Sequence, residues 1–485
     1  MNNIFSPVYV DSVLDPSYQN WKRLFYAESI NVHKAHLVML VEKGIVRRPT
    51  ARKIKAFMAE LESGAPFPDQ IPQGMEDLYC AYEAELARRG AVEVAFLHTA
   101  RSRNDMDTTV FRLALKRELI DLIRQFAEVA NGILERARAG EAEITVLYTH
   151  GQPANVSTMA HYLTAFLLDF LEGTESLIQA MRSTDRCPLG ACAITGTGFP
   201  IDRERTSRLL GFSSPVPNTY QAISTSHWLA LPAQALQLVL LDVGRLAADL
   251  LHKASTEVGL VAFPDELVQR SSIMPQKRNA VILEHLRIQA GLAAGVCDSV
   301  VQLFRNAPYQ DVNEVADAPV SRFLDSLVHV RGCASLLKEA VCKMTSDPAR
   351  ACAIALSCGV TTSELADTIA RSSGVGFRSA HRACAAFVRA GFDKATLRRT
   401  FQEVTGTGLS LSDDEIDQAL LPERFVAVRQ TPGGPAPGGM VTVYAAIQTA
   451  MARIEEALAQ MDERGRSAKA ELDAAWEALE ELRES

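Results

Sequence analysis

Trp228-Leu229-Ala230-Leu231-Pro232-Ala233-Gln234-Ala235-Leu236-Gln237-Leu238-Val239-Leu240-Leu241-Asp242-Val243-Gly244-Arg245-Leu246-Ala247-Ala248-Asp249-Leu250-Leu251 is the stretch that sets the architecture. Apolar residues fall at 236, 239, 240, 243, 246, 247 and 250, the spacing of one helix face. No proline follows Pro232 until Pro264, which permits a helix of about thirty residues, longer than most globular helices. The same period runs through residues 108–138, with apolar positions at 119, 122, 123, 126, 129, 130, 133 and 134. Helices of this length point to a bundle. Two runs, residues 144–168 and 211–241, carry no Asp, Glu, Lys or Arg. They hold His150, Gln152, Asn155, Ser157, Asn218, Gln221 and His227, polar groups that would be costly in lipid. They read instead as helices buried on all sides in a bundle or subunit contact. Alternating strand patterns joined by Asn-Gly or Asp-Gly turns are absent, so the fold class is mainly α. Residues 432–439, Pro188-Leu189-Gly190 and Gly196-Thr197-Gly198-Phe199-Pro200 read as loops, and a long, partly solvated helix follows from Val441.

The chain of 485 residues is long enough for two or three domains. A net charge of -8 disfavours a nucleic acid or an anionic membrane as partner. Nine cysteines without a Cys-x-x-Cys pair read as reduced core thiols in a cytoplasmic protein. The start, Met1-Asn2-Asn3-Ile4-Phe5, has neither a basic nor an apolar signal region.

Four segments carry chemistry. Arg270-Ser271-Ser272-Ile273-Met274-Pro275-Gln276-Lys277-Arg278-Asn279 joins two serines, a lysine and an asparagine with no acidic side chain. A hydroxyl that acts as a base needs cations, amide donors and little water around its alkoxide. His98-Thr99-Ala100-Arg101-Ser102-Arg103-Asn104-Asp105 offers donors for a carboxylate, or a helix start capped by Asn104 or Asp105. Tyr148-Thr149-His150-Gly151-Gln152 places a histidine that could exchange a proton near neutral pH. His161, on the apolar face of the helix that follows, is assigned to the core. The glycine pair around Thr197 lacks the Lys-Ser/Thr ending of a phosphate loop, which excludes that reading.

Taken together these segments resemble the fumarase/aspartase superfamily, and within it the argininosuccinate lyase branch. Ser271 to Asn279 is similar to the superfamily signature Gly-Ser-Ser-x-Met-Pro-x-Lys-x-Asn. His98 to Asp105, Tyr148-Thr149-His150, Pro188-Leu189-Gly190, Gly196 to Arg203, Glu76-Asp77-Leu78, Asn218, Phe377-Arg378-x-Ala-His381 and Gly433-Gly434 match branch motifs in order. The resemblance implies a three-domain fumarase/aspartase-type fold with a long central helical bundle. Its expected parts are an N-terminal helical domain over residues 1–106, the bundle over 107–355 and a C-terminal helical domain over 356–485. It implies a homotetramer with active sites shared between subunits and a small-molecule N-substituted aspartate as substrate. The reaction would be reversible β-elimination to fumarate and an amine, with no metal or redox cofactor. Ser271 would be the base, and His150 oriented by Glu284 a proton donor or loop stabiliser. Lys277 and Asn279 would bind the carboxylate that gains charge, and Thr149, Ser102 and Asn104 the succinyl group. Arg101, Gln152, Ser272, Met274 and Tyr309 complete the expected substrate contacts.

The departures from the branch pattern cluster on the amine half. The signature's leading glycine is Arg270, and Ala280 stands where a proline is usual. The branch's Asp-Ile-x-x-Ser-x-Ala-His reads Ser29-Ile30-Asn31-Val32-His33-Lys34-Ala35-His36, and its Glu-Asp-Ile-His reads Glu76-Asp77-Leu78-Tyr79. After Asn218, two acids, an arginine and a further acid are lost across Gln221, Thr225, Ser226 and His227. Its Tyr-Asn-x-Asp-x-Gln-Glu-Asp-Lys block is eroded to Tyr309-Gln310-Asp311-Val312-Asn313-Glu314, one residue out of register. A guanidinium leaving group left without these partners is costly to bury. The expected substrate is therefore an aminopolycarboxylate such as ethylenediamine disuccinate or iminodisuccinate. Argininosuccinate is the alternative, and an inactive binding or structural relative the further one.

Overall fold

A computed structural model of the chain describes residues 5–63 and 67–480. Long helices dominate, among them α1 (Tyr26–Glu42), α2 (Arg103–Ala139), α3 (Met159–Thr184), α4 (His227–Lys253), α5 (Val281–Phe304), α6 (Asp317–Lys343) and α7 (Pro437–Glu477). Helix α4 packs between α3 and α5, α6 lies against α5 and α2, and α7 runs beside α2 and α3. Phe126, Phe170, Trp228 and Phe323 are fully buried at these contacts. Residues 228–251 thus lie in the middle helix of the bundle, which runs over 27 residues with Pro232 buried near its N-terminus. It is long and apolar enough to cross a membrane, yet about half of its apolar window faces the protein interior.

The bundle runs up and down, and hydrogen bonds mark its two ends. At one end Arg112 of α2 donates to the carbonyls of Ser183 (3.1 Å) and Arg186 (3.0 Å), and Thr184 donates to the Trp228 carbonyl at 2.6 Å. At the other, Lys253 at the close of α4 donates to the Val146 carbonyl at 3.0 Å.

The first uncharged run departs from expectation. Residues 144–158 form an antiparallel hairpin of β1 (Ile144–Thr149) and β2 (Gln152–Thr158), and only from Met159 does the run become helix. His150 (φ 52°) and Gly151 (φ 75°) are both left-handed, as a two-residue hairpin turn of the type I′ class requires. The run lacks charge because Ile144, Val146 and Val156 bury one face against Leu260, Ile354 and Phe425. Two of the presumed core thiols, Cys342 and Cys358, are exposed. Pro437, Gly438 and Gly439, read as loop, are the first turn of α7.

Around the bundle sit smaller units. Leu365, Phe387, Phe401 and Ile416 make a separate apolar cluster among helices Thr362–Ser373, Phe377–Arg389, Lys394–Thr405 and Asp413–Leu420. Glu364 there is buried and paired with both Arg371 and Arg429. The last carbonyls of α7 are met by cations of helix Arg48–Ser63, through Lys55 to Trp476 O (3.1 Å) and Arg48 to Ala478 O (2.7 Å).

The start of α2 is fixed by one carboxylate. Ser102 is the N-cap, not Asn104 or Asp105, because Asp105 folds back to accept the Ser102 N–H through Oδ1 at 2.9 Å. Its other oxygen accepts the N–H groups of Gly190 (2.7 Å) and Cys192 (2.9 Å), and the residue is wholly buried. Asp105→Ala would leave those amides without an acceptor in a dry site. A loss of about 3 kcal/mol is expected, read as a lower urea midpoint by circular dichroism. An unshifted midpoint would mean that other contacts hold this junction.

Candidate functional site

The residues singled out from the sequence fall into two groups, one at each end of the bundle. The first surrounds the start of α2. The backbone turns sharply before it, with Ala100 at φ 58°. Arg101 points inward: its side chain is fully buried, with Nη1 3.0 Å from His33 Nδ1, Nη2 3.4 Å from the Tyr79 hydroxyl and 3.6 Å from Glu83. His33 is stacked on Tyr79 (5.9 Å, 8°) and on Tyr82 (4.9 Å, 16°). His98 Nδ1 lies 2.6 Å from the Tyr79 hydroxyl and 3.0 Å from Glu83. Two departures far apart in sequence, His33 and Tyr79, are therefore neighbours holding the same guanidinium. Nothing in their spacing announces that contact.

Burial, then the nearby Arg101 charge, hold His33 well below its usual range. The same causes push His36 down to about 3, although its Nε2 hydrogen bond to Thr99 O at 2.8 Å works in the opposite direction. Both rings are thus neutral props under residues 98–104.

Asn104 faces outward and donates from Nδ2 to Asp311 Oδ2 at 2.6 Å. Tyr309, two residues earlier, is 63% exposed and meets Tyr220 edge-on at 5.9 Å, while the Tyr220 hydroxyl donates to the Tyr309 carbonyl. Arg103 is committed to Glu76 (2.5 Å) and Asp77 (3.1 Å). Burial raises the Asp311 carboxyl above its ordinary value, and Arg103 opposes that. Asp311 was not among the expected site residues. It stands in the eroded block whose shifted register hid it.

The loop over residues 188–203 supports this group. Gly190 adopts φ 86°, and a Cβ there would come 2.7 Å from Arg203 Cγ, so only glycine fits. Its amide and that of Cys192 are the ones held by Asp105. The glycines here shape a brace for α2.

The second group lies at the far end. Thr149, His150 and Gln152 are exposed at the hairpin tip. Ser271 begins a small loop closed by β3 (Gln269–Arg270) pairing with β4 (Arg278–Asn279). Inside it, Ser271 N donates to Lys277 O at 3.3 Å, and Lys277 N to Met274 O at 3.0 Å. Ser271 Oγ accepts the amide N–H groups of Ile273 (3.3 Å) and Met274 (3.0 Å). Ser272, Met274 and Lys277 are exposed, Asn279 is half-buried, and Ile273 is 83% exposed. Arg270 turns away from the serine to Asp265, which also binds Arg278 at 2.7 Å. Glu284 is exposed in the first turn of α5. His161, assigned to the core, is instead half-buried and bridges Ser157 Oγ (2.8 Å) to Gly433 O (3.0 Å).

Among the described residues no hydrogen bond or ion pair joins the two groups. A helix of 37 residues is about 55 Å long, so the span of α2 separates Asn104 from the end that carries His150 and Ser271. Among the described residues no cluster of three or more His, Cys, Asp or Glu could hold a metal ion.

A family described as Lyase matches residues 84–295. The chain is 35% identical to argininosuccinate lyase 2 of Agrobacterium fabrum over 476 residues, 96% of this chain and 94% of that protein. It is 32% identical to argininosuccinate lyase of Methanothermobacter thermautotrophicus, covering 85% of this chain and 90% of that one. Among solved structures it superposes on EDDS lyase in complex with formate with a TM-score of 0.84 and 26% identity, over 96% of this chain and 95% of that chain.

The two buried histidines predict a pH signature. On unfolding, His36 regains its ordinary value of 6.5, whereas in the fold it stays unprotonated down to about 3. The unfolded chain therefore binds more protons at these two rings, and their contribution to stability is level above 6.5 and falls as pH drops below it. Urea unfolding from about pH 8 to pH 5 should show that decline, and His33→Gln should make it shallower. A slope unchanged by the substitution would assign the effect to other groups.

Proposed function

The chain belongs to the argininosuccinate lyase branch of the fumarase/aspartase superfamily, a family of carbon–nitrogen lyases, and we propose that it releases fumarate from an N-substituted L-aspartate by serine-based β-elimination. Ser271 removes the proton from the carbon next to the succinyl carboxylate. The electron pair is held as an aci-carboxylate against Lys277 and Asn279. The C–N bond then breaks, the amine departs with a proton, and fumarate remains. Ser102, Asn104 and Thr149 hold the succinyl group, and His150 oriented by Glu284 serves proton transfer.

The observation that carries this reading is the pair of amide N–H groups directed at Ser271 Oγ. Serine ionises far above neutral pH, so its alkoxide needs donors already in place, with Lys277 nearby and water excluded when the loop closes.

The expected residues lie at opposite ends of the bundle, which favours a homotetramer whose active sites are shared between subunits. Leu238 (44%) and Leu241 (57%) on α4, Ile288 and Leu292 (51% each) on α5 and Val328 (64%) on α6 are exposed in the single chain, apolar surface of the kind a bundle-to-bundle contact covers.

For the amine half, the substrate is an aminopolycarboxylate such as ethylenediamine disuccinate. The interlocked departures at 33 and 79 support it, because they and Glu83 occupy Arg101. Argininosuccinate is the second reading, favoured by 35% identity to an argininosuccinate lyase over nearly the whole chain.

Fumarate formation, followed by ultraviolet absorbance, tests the proposal with ethylenediamine disuccinate, iminodisuccinate, argininosuccinate, adenylosuccinate and aspartate. Ser271→Ala should lower kcat by about a thousand-fold or more while substrate binding, measured by calorimetry, persists. A variant that keeps wild-type turnover would remove Ser271 from the role of base. Silence of the wild type on all five would exclude these substrates and point to another N-substituted aspartate or to an inactive relative.

A further inference from the structure

Asp311 stands beside the start of α2 and forms no ion pair among the described residues. The only hydrogen bond to its carboxylate within the described residues comes from Asn104 Nδ2, at 2.6 Å and onto Oδ2. Arg103, the cation that acts on it, is already matched by Glu76 and Asp77. The backbone carrying Asp311 is pinned two residues earlier, where the Tyr220 hydroxyl holds the Tyr309 carbonyl and the two rings meet edge-on. The carboxylate therefore stands at a fixed place beside Asn104, which the proposed function assigns to the succinyl group. A carboxylate there repels a second anionic group and attracts a cation.

We propose that Asp311 is the specificity-determining residue for the amine half, and that it selects N-substituted aspartates whose departing amine carries a second cationic nitrogen. This rests on the lyase reading above and narrows it. Ethylenediamine disuccinate and argininosuccinate carry such a nitrogen, whereas iminodisuccinate, whose departing half is the dicarboxylate aspartate, brings only further negative charge. The usual acids of the branch are lost around residues 221–227, so the cation is received by a carboxylate out of register with the family block. Asn104 keeps a second amide N–H for the succinyl carboxylate, and the bond to Asp311 orients it.

The test runs the full-length enzyme in the amine-addition direction. Ethylenediamine and n-propylamine have equal length and differ in the distal ammonium. Fumarate consumption gives kcat/KM for each amine in the wild type, in Asp311→Asn and in Asp311→Ala. Asp311→Asn retains an oxygen for Asn104 and removes the charge. The wild type should favour ethylenediamine, and Asp311→Asn should cut that preference roughly ten- to a hundred-fold, mainly through KM, as loss of one charge-assisted contact does. Asp311→Ala should cut it at least as far. An enzyme that makes or consumes fumarate but whose preference is absent, or unmoved by both substitutions, overturns this inference and leaves the lyase reading intact. Equal losses for the two amines also overturn it, since they show a purely structural role. A wild type silent with every amine and every N-substituted aspartate removes both readings.

Discussion

The carboxylate of Asp105 is the constraint on which the first half of the candidate site depends. A buried charge survives only when its oxygens are satisfied, and here backbone amides from two distant segments do that. One of those segments opens the 37-residue helix α2, and the other is a loop whose left-handed glycines and crowded Gly190 leave it little freedom. Burial raises the Asp105 carboxyl, and the amide bonds oppose that. The hydrogen bonds therefore do two things at once. They keep the acid tolerable in the core and set where Ser102 and Asn104 stand.

Much of this was legible in the amino-acid order. The period of the 228–251 stretch foretold the middle helix of the bundle, since a buried helix must keep its apolar face over its whole length. The Ser271 loop, the 98–105 segment and the hairpin tip were picked out by residue type, because their chemistry depends on side chains close together in sequence. The hairpin itself is not announced by the residue order. Its turn is His150-Gly151, and a left-handed histidine gives a weaker signal than asparagine or aspartate would.

What the order of residues could not convey is which substitutions meet. His33 and Tyr79 read as two separate losses, yet they stack on one another and share Arg101. The arginine expected to face substrate is consumed by partners that the branch pattern does not provide. Asp311 went unnoticed for the complementary reason: its partner Asn104 lies two hundred residues away, and only the return of α5 along the bundle brings the two together. Long-range pairings of this kind depend on topology, and periodicity is blind to them.

The base of the Ser271 loop holds one more consequence. Arg270 occupies the place of a glycine, and its φ is not among the positive ones, so the ladder never required glycine's conformational range. What the arginine adds is an ionic strap, Arg270 to Asp265 to Arg278, whose members are largely exposed. Exposed ion pairs weaken as dissolved ions crowd around them, over a screening distance of about 8 Å at physiological ionic strength. The stiffness of this loop is thereby written in electrolyte rather than in stereochemistry. How readily the serine's loop loosens becomes a property of the medium as well as of the chain.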